Sequence, residues 1–476
     1  MNAVSIALAF AILLPGTVLP ASQAAEVPPP AFRKVVLEAV CDNPMELAPL
    51  PDGRVLFIER FGKVRIWKPE AASTVLAATL SVHGHLNAMN AREPDRGSWE
   101  AGVLGVAIAP DFARSRWVYI YYSPAGDTPE NRLSRFVLNG DALDLASEKV
   151  ILRVPTQREV CCHEAGSIAF DAVGNLFLST GDNTNPFESD GFSPTDYRDG
   201  RYKFDAARSS GNANDLRGKI LRIHPEPDGT YTVPKGNLFP PGTPQTKPEI
   251  FVMGCRNPFR ISVDKPTGTL SWGEVGPDAR ETREERGPAG FDEINRTRTA
   301  GNFGWPFLIA DNRPYRQYDF ASKQSGASQD PAKPLNLSPS NTGPKELPPG
   351  RPAWLYYTYG PSTRFPAVGS GGRTACAGPV YHYDAKLKSS RKLPKAYDGC
   401  LFVYDWERHW ILAVHPTAAG EPGRIERFAP EIKLKRPIEM ELGPDGALYV
   451  IEFGTAWENN KDSQVIRIEP EGSEAR

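Results

Sequence analysis

The chain is poor in cysteine and histidine, with six and seven of them in 476 residues. So few cysteines in so long a chain exclude a fold built on disulfides. They form neither the spaced ligand pairs of a structural zinc site nor the Cys-x-x-Cys-His of covalent haem attachment. A dominant charge is missing too: 55 basic residues face 57 acidic ones, with no basic block. That excludes the electrostatic footprint of a nucleic-acid binder. Beyond the N-terminus no apolar run approaches the roughly 20 residues a membrane span needs, so no span is expected in the mature chain. The N-terminus itself has an uncharged apolar run over 4–14, followed by Ser22-Gln23-Ala24. This is the pattern of an export leader over 1–24, which predicts a periplasmic or secreted protein whose cysteine pairs can persist.

What the sequence has in quantity is turn chemistry, with 42 glycines and 46 prolines. One unit recurs six times: a short apolar strand, a tight turn, a second strand, a loop, and a third strand. It opens as "MELAPLPDGRVLFIERFGKVRIW" and closes as "IEMELGPDGALYVIEFG" with "SQVIRIEP". The copies between begin at "VLGVAIAPDF", "SIAFDAVGNLFLSTGD", "FRISVDKPTGTLSWGEVGPD" and "PVYHYDAKLK". Asp-Gly, Gly-Asn and Thr-Gly pairs mark antiparallel hairpins. A lone hairpin cannot bury its faces, whereas radial stacking of several such sheets can. The expectation is an all-β, six-bladed β-propeller with long rim loops, one domain over 33–471. A polar loop over 183–217 interrupts the third unit, and 321–352 reads as a solvated surface insertion.

In an antiparallel blade the start of the first strand and the end of the second share a rim. One mouth therefore collects Glu100, Cys161, Cys162, His163, Cys255, Arg256, Asn257 and Arg436 with Glu59, Asp182, Glu274, Asp405, Glu407 and Glu452. His163 is a candidate general base there, or a loop histidine bonded to backbone. Arg256 and Asn257 offer a fixed cation and an amide, or else tie one blade to the next. Gly276-Pro277 exposes two backbone carbonyls suited to a hard cation, or is an ordinary turn. Cys161 and Cys162 form either a vicinal bridge or a longer one to Cys255.

The stretches "GVLGVAIAPDF", "HEAGSIAFDAVGNLFLSTGDN", "GCRNPFRISVD", "GEVGPD", "FDEINRTRTAGNFGWP" and "GPDGALYVIEFG" occur in one order. That series resembles the soluble quinoprotein sugar dehydrogenases of the glucose/sorbosone dehydrogenase family over 38–470. These are six-bladed propellers that use pyrroloquinoline quinone (PQQ) and calcium. The resemblance implies that His163 is the base taking the hydroxyl proton of a sugar or polyol while hydride passes to PQQ. It implies that Arg256 and Asn257 bind the quinone carbonyls, that Gly276 and Pro277 carry calcium on their carbonyls, and that Arg436 faces the cofactor carboxylates. An external electron acceptor would complete turnover. Glu100 stands where the family has glutamine, Glu407 where it has lysine, with Arg408 beside it as a substitute cation, and Ile438 where it has a second arginine. Cys161 and Cys162 would form a cofactor platform by analogy with larger quinoprotein alcohol dehydrogenases. Two other functions suit the same frame. One is a metal-dependent lactonase-type hydrolase with Glu59, Asp182, Glu274 and Glu452 as oxygen ligands. The other is a non-catalytic propeller that binds carbohydrate or protein.

Overall fold

A computed structural model describes Met1 and residues 31–83, 100–457 and 460–472. The leader expected over 1–24 lies, Met1 aside, outside the described residues. The repeated units fold as six sheets, the blades of a propeller, each with four antiparallel strands; in the third a short parallel strand, Gly301–Asn302, adds at the outer edge. Blade 1 runs outward through Pro44–Pro49, Val55–Glu59, Lys63–Lys68 and Ser73–Thr79. Blade 2 runs through Val103–Ile108, Trp117–Tyr122, Glu130–Asn139 and Ala142–Pro155. Blade 3 uses Ile168–Phe170, Leu176–Thr180, Lys219–Pro225 and Ile250–Met253. Blade 4 uses Pro258–Asp264, Thr269–Glu274, Asp292–Thr297 and Leu355–Tyr357. Blade 5 uses Ala375–Val380, Leu401–Asp405, Trp410–Pro416 and Pro422–Arg427. The first strands of successive blades touch in an unbroken ring, blade 6 returning to blade 1.

Closure comes from both ends of the chain. In blade 6, Pro437–Leu442, Leu448–Glu452 and Gln464–Pro470 are completed by Phe32–Glu38. This N-terminal strand pairs antiparallel with the last one, from Phe32 opposite Pro470 to Glu38 opposite Val465. Backbone groups that would otherwise face solvent at an open seam are thereby paired. The Asp52-Gly53 and Asp445-Gly446 turns behave as read, with Gly53 and Gly446 at φ +88° and +78°. A residue with a Cβ is strained in that region.

The core lies between blades. One cluster joins Leu47, Phe57, Val106, Ile120 and Ile451 from blades 1, 2 and 6, and another joins Leu133, Leu152, Leu178 and Leu221 from blades 2 and 3. At the ring's centre Arg260 is 1% exposed, pairs with Glu439 at 2.7 Å and donates to the Ile438 carbonyl at 3.1 Å. Glu46 accepts from the Val106 amide and, at 2.6 Å, from the Ser167 hydroxyl. Arg260 is thus paired and Glu46 hydrogen-bonded across blades, as burial demands.

Two segments depart from a simple reading. The first strand of blade 5 starts at Ala375 rather than at the Pro379 of the fifth sequence unit, with a bulge between Ala377 and Val380 that accommodates the proline. Within 321–352, Gln324–Ser328 is an exposed hairpin partner of Arg316–Asp319. The segment then returns to the body. Asn336 is fully buried and donates to the Ala207 and Gly211 carbonyls at 2.8 Å each, while Ser338 donates to Asp205. That docks it onto the polar 183–217 loop. Lys219, also fully buried, holds the loop from beneath through the Ser209, Ser210 and Arg217 carbonyls at 2.8, 3.0 and 2.7 Å.

Candidate active site

The carboxylates gathered at one rim share a task that their positions in sequence did not disclose. Each ends or follows a second strand and accepts backbone N–H groups from the neighbouring rim segments. Glu274 accepts from Arg256 and Asn257 at 2.8 and 2.6 Å, and Glu452 from Lys435 at 2.9 Å. Glu59 accepts from Asp42 at 3.0 Å, and Asp405 from Thr374, Glu407 and Arg408. Glu59 also pairs with Arg65, and Glu452 with Lys34. Glu59, Glu274 and Glu452 are thus each engaged within their own blade, and Asp182 with the groups described next; among the described residues they do not converge as a ligand set.

His163 is held in a buried network beside blade 3. Its Nδ1 lies 2.8 Å from Asp182 Oδ1, and both side chains are buried. Asp182 also accepts from the Thr184 amide at 3.0 Å and, on Oδ2, from the indole of Trp305 at 2.8 Å. A carboxylate so fixed takes the Nδ1–H of the imidazole and leaves the Nε2 lone pair free to accept a proton. The backbone here is tight. His163 has φ +64° and Asn183 +51°, and a Cβ on Gly181 would meet the His163 carbonyl oxygen at 2.0 Å. Left-handed non-glycine residues cost of order 1–3 kcal/mol each and persist where the surroundings hold them.

Arg256 and Asn257 stand next to this network, at the start of blade 4. The Arg256 carbonyl accepts from the Asp182 amide at 2.8 Å, and the Arg256 guanidinium carbon lies 6.0 Å from the centre of the Trp305 ring. The guanidinium donates to the Val275 carbonyl at 2.9 Å and stands 3.8 Å from Asp278. Asn257 donates to Glu100 at 3.4 Å, and Glu100 also accepts from the Glu164 amide at 2.9 Å. Arg256 Nε and Asn257 Oδ1 are buried with no partner among the described residues. Cys161 and Cys162, both buried, are bridged to each other, while Cys255 is free. Burial pushes the neighbouring Glu164 carboxyl up to about 7, opposed by a bond from Asn131 and reinforced by the charge of Glu100.

The Gly276-Pro277 turn has a partner that the sequence reading lacked. Arg373 donates to the Pro277 carbonyl and pairs with Asp292. Asp292, fully buried, also accepts from the Gly276 and Ala375 amides at 3.0 and 2.8 Å. The Arg373 guanidinium lies 4.2 Å from the Tyr359 ring centre. Arg408, the expected substitute cation, points elsewhere. It donates to the carbonyls of Thr358, Val368, Gly369, Gly371 and Gly372, so it braces the 358–372 loop. Arg436, across the ring on blade 6, is mostly buried, 3.4 Å from Glu407 and 4.8 Å from the centre of the Trp406 ring.

The profile for Glucose / Sorbosone dehydrogenase matches residues 41–343, more than half of the chain. The chain belongs to this family. It is 26% identical over 282 residues to the aldose sugar dehydrogenase of Escherichia coli K12, a match spanning 58% of this chain and 62% of that protein. Quinoprotein glucose dehydrogenase B of Acinetobacter calcoaceticus is 23% identical over 320 residues, 65% of this chain and 59% of its own length. The matches thus span about three fifths of the length of these curated relatives. The structure of the PQQ-bound aldose sugar dehydrogenase from Streptomyces coelicolor superposes with a TM-score of 0.57 at 18% identity, covering 93% of this chain and 99% of that one. That likeness establishes the shared propeller.

Against the family's cofactor set, the described residues fit one group and not the other. A flat anionic quinone needs cations, N–H donors and an apolar floor. The orphaned Nε of Arg256, Arg436 and the buried Cys161–Cys162 pair suit it. A calcium ion on Gly276 and Pro277 does not fit, because the Pro277 carbonyl already accepts from Arg373. Arg373, 96 positions downstream, thus shares the carbonyl read from sequence as a metal ligand. Trp305 and Arg373 were both missed as site residues. Trp305 lay in the quoted "GNFGWP" stretch, whereas Arg373 had no local signal.

Proposed function

We propose that this chain oxidises a sugar or polyol hydroxyl with PQQ as its cofactor and His163 as its base. The observation that carries the proposal is the buried His163–Asp182 pair standing beside Arg256 and Asn257. PQQ, when bound, supplies the two-electron acceptor for hydride. Arg256, Asn257 and Arg436 would hold it, the guanidiniums meeting its negative charge and Asn257 fixing its orientation. Glu100 helps to position the Asn257 amide. His163 accepts the substrate hydroxyl proton on Nε2, and Asp182 stabilises the imidazolium that results. Trp305 and Thr184 keep Asp182 aimed at the ring through both of its oxygens.

The family match and its sugar-dehydrogenase relatives support the reaction class. Export belongs to the same proposal, from the apolar run at 4–14 and the small residues after it. The electron acceptor is then an external one. The test is dye-linked oxidation of a panel of aldoses and polyols by purified protein supplied with PQQ. The proposal expects activity in the wild type and its loss in His163→Ala with PQQ affinity retained. Protein that binds PQQ but oxidises none of the panel, or His163→Ala with undiminished activity, would overturn it.

A further inference from the structure

We propose that Arg373 is a built-in cation that excludes calcium from the Gly276-Pro277 turn and receives an anionic edge of the quinone in its place. The inference rests on the quinoprotein reading above. Its first ground is geometric. Two guanidiniums grip this turn, Arg256 through the Val275 carbonyl and Arg373 through the Pro277 carbonyl. Asp292 fixes Arg373 and, through the Gly276 amide, the turn itself. The turn has no slack for rearrangement. A Cβ on Gly276 would meet the Phe291 carbonyl oxygen at 1.7 Å, and one on Gly290 would meet that of Pro277 at 1.6 Å.

The second ground is a set of unmade bonds. Arg256 Nε, Arg373 Nε and the Tyr315 hydroxyl are all buried with no hydrogen-bond partner among the described residues. The Arg373 side chain is 2% exposed, so bulk water does not relieve it. Buried N–H groups are almost always partnered, and the orphaned Nε atoms of the two guanidiniums that grip this turn call for acceptor oxygens from a ligand. A carboxylate or an enolate-like oxygen supplies them. Calcium supplies charge without direction and needs several oxygens around it, whereas a guanidinium supplies charge and directed N–H donors together.

The experiment is calorimetric titration of the full chain with PQQ, in EDTA and in excess calcium, for wild type, Arg373→Lys and Arg373→Met. Calcium alone is titrated into each in parallel. The inference expects wild-type affinity for PQQ to be equal in the two buffers to within about twofold. It expects Arg373→Met to bind PQQ about tenfold or more weakly in EDTA, to regain affinity with calcium, and to bind one more calcium per chain than wild type. Arg373→Lys should keep much of the calcium independence. Wild-type affinity that collapses in EDTA overturns the inference and leaves the quinoprotein reading standing. Absence of PQQ binding in both buffers overturns the quinoprotein reading and cofactor contact by Arg373; the calcium titration still decides whether Arg373 excludes the metal. If Arg373→Met does not fold, the wild-type comparison in the two buffers decides.

Discussion

Replacing Asp182 with asparagine keeps the size of the side chain and removes its charge. Asp182 accepts three hydrogen bonds, from His163 and Trp305 at 2.8 Å and from Thr184 at 3.0 Å. An asparagine can serve these donors with only one oxygen, so in either orientation its amide N–H faces another donor. One unmade buried bond costs about 1–3 kcal/mol of stability. The larger effect falls on the protonated state of the site. An imidazolium at Nε2 would lose a carboxylate partner whose attraction is about 4 kcal/mol at an effective dielectric of about 20. If most of that attraction is present in the transition state, kcat falls by about 10²–10³. The assay is PQQ-supplemented, dye-linked aldose oxidation across pH, with PQQ affinity measured separately. Asp182→Asn should bind PQQ to within about twofold of wild type, because the substitution leaves Arg256 and Asn257 in place. A kcat within threefold of wild type would refute the assignment of His163 and Asp182 as a working pair.

Glu164 makes stability depend on pH. Burial raises its carboxyl from 4.5 to about 7, so the folded chain retains a proton that the unfolded chain releases. The contribution is complete below pH 4.5 and is lost as pH rises through about 7, a change of about 3 kcal/mol that Glu164→Gln should remove from urea unfolding curves. Lys219→Met leaves three loop carbonyls without their donor. It should cost about 3–5 kcal/mol in urea unfolding and make 183–217 easier to cleave in limited proteolysis. Alkylation of unfolded, unreduced protein should label Cys41, Cys255, Cys376 and Cys400 and leave Cys161 and Cys162 joined; mass spectrometry that finds a bridge to Cys255 would contradict the structure.

The six blades were legible because each hairpin announces itself within about 20 residues, as "PLPDGRVLFIE" and "LGPDGALYVIE" do. The same locality explains what was not. Phe32–Glu38 finds its partner at the far end of the chain, and nothing in "FRKVVLE" says which edge it closes. In "ACAGPV" a Gly-Pro pair conceals the first strand of blade 5, which the bulge makes possible. At the site, His163, Arg256 and Asn257 were visible as polar groups at one rim, and the structure brings them together. The carboxylates were visible as residues but not as clamps, because their acceptors' partners are backbone amides that any sequence carries. Arg373 was hidden because what defines it, Asp292 and Pro277, lies 81 and 96 residues away. Arg408 was chosen on charge alone, and charge does not say that five carbonyls will absorb it.

The central claim is that His163 works as a base beside a quinone bound in this mouth. The most direct test is an absorbance titration of purified protein with PQQ, followed by addition of an aldose. The account predicts saturable binding of one PQQ per chain, with aldose converting the bound cofactor to its reduced spectrum in wild type and not in His163→Ala. Failure of PQQ to bind, or equally rapid reduction in His163→Ala, would contradict it.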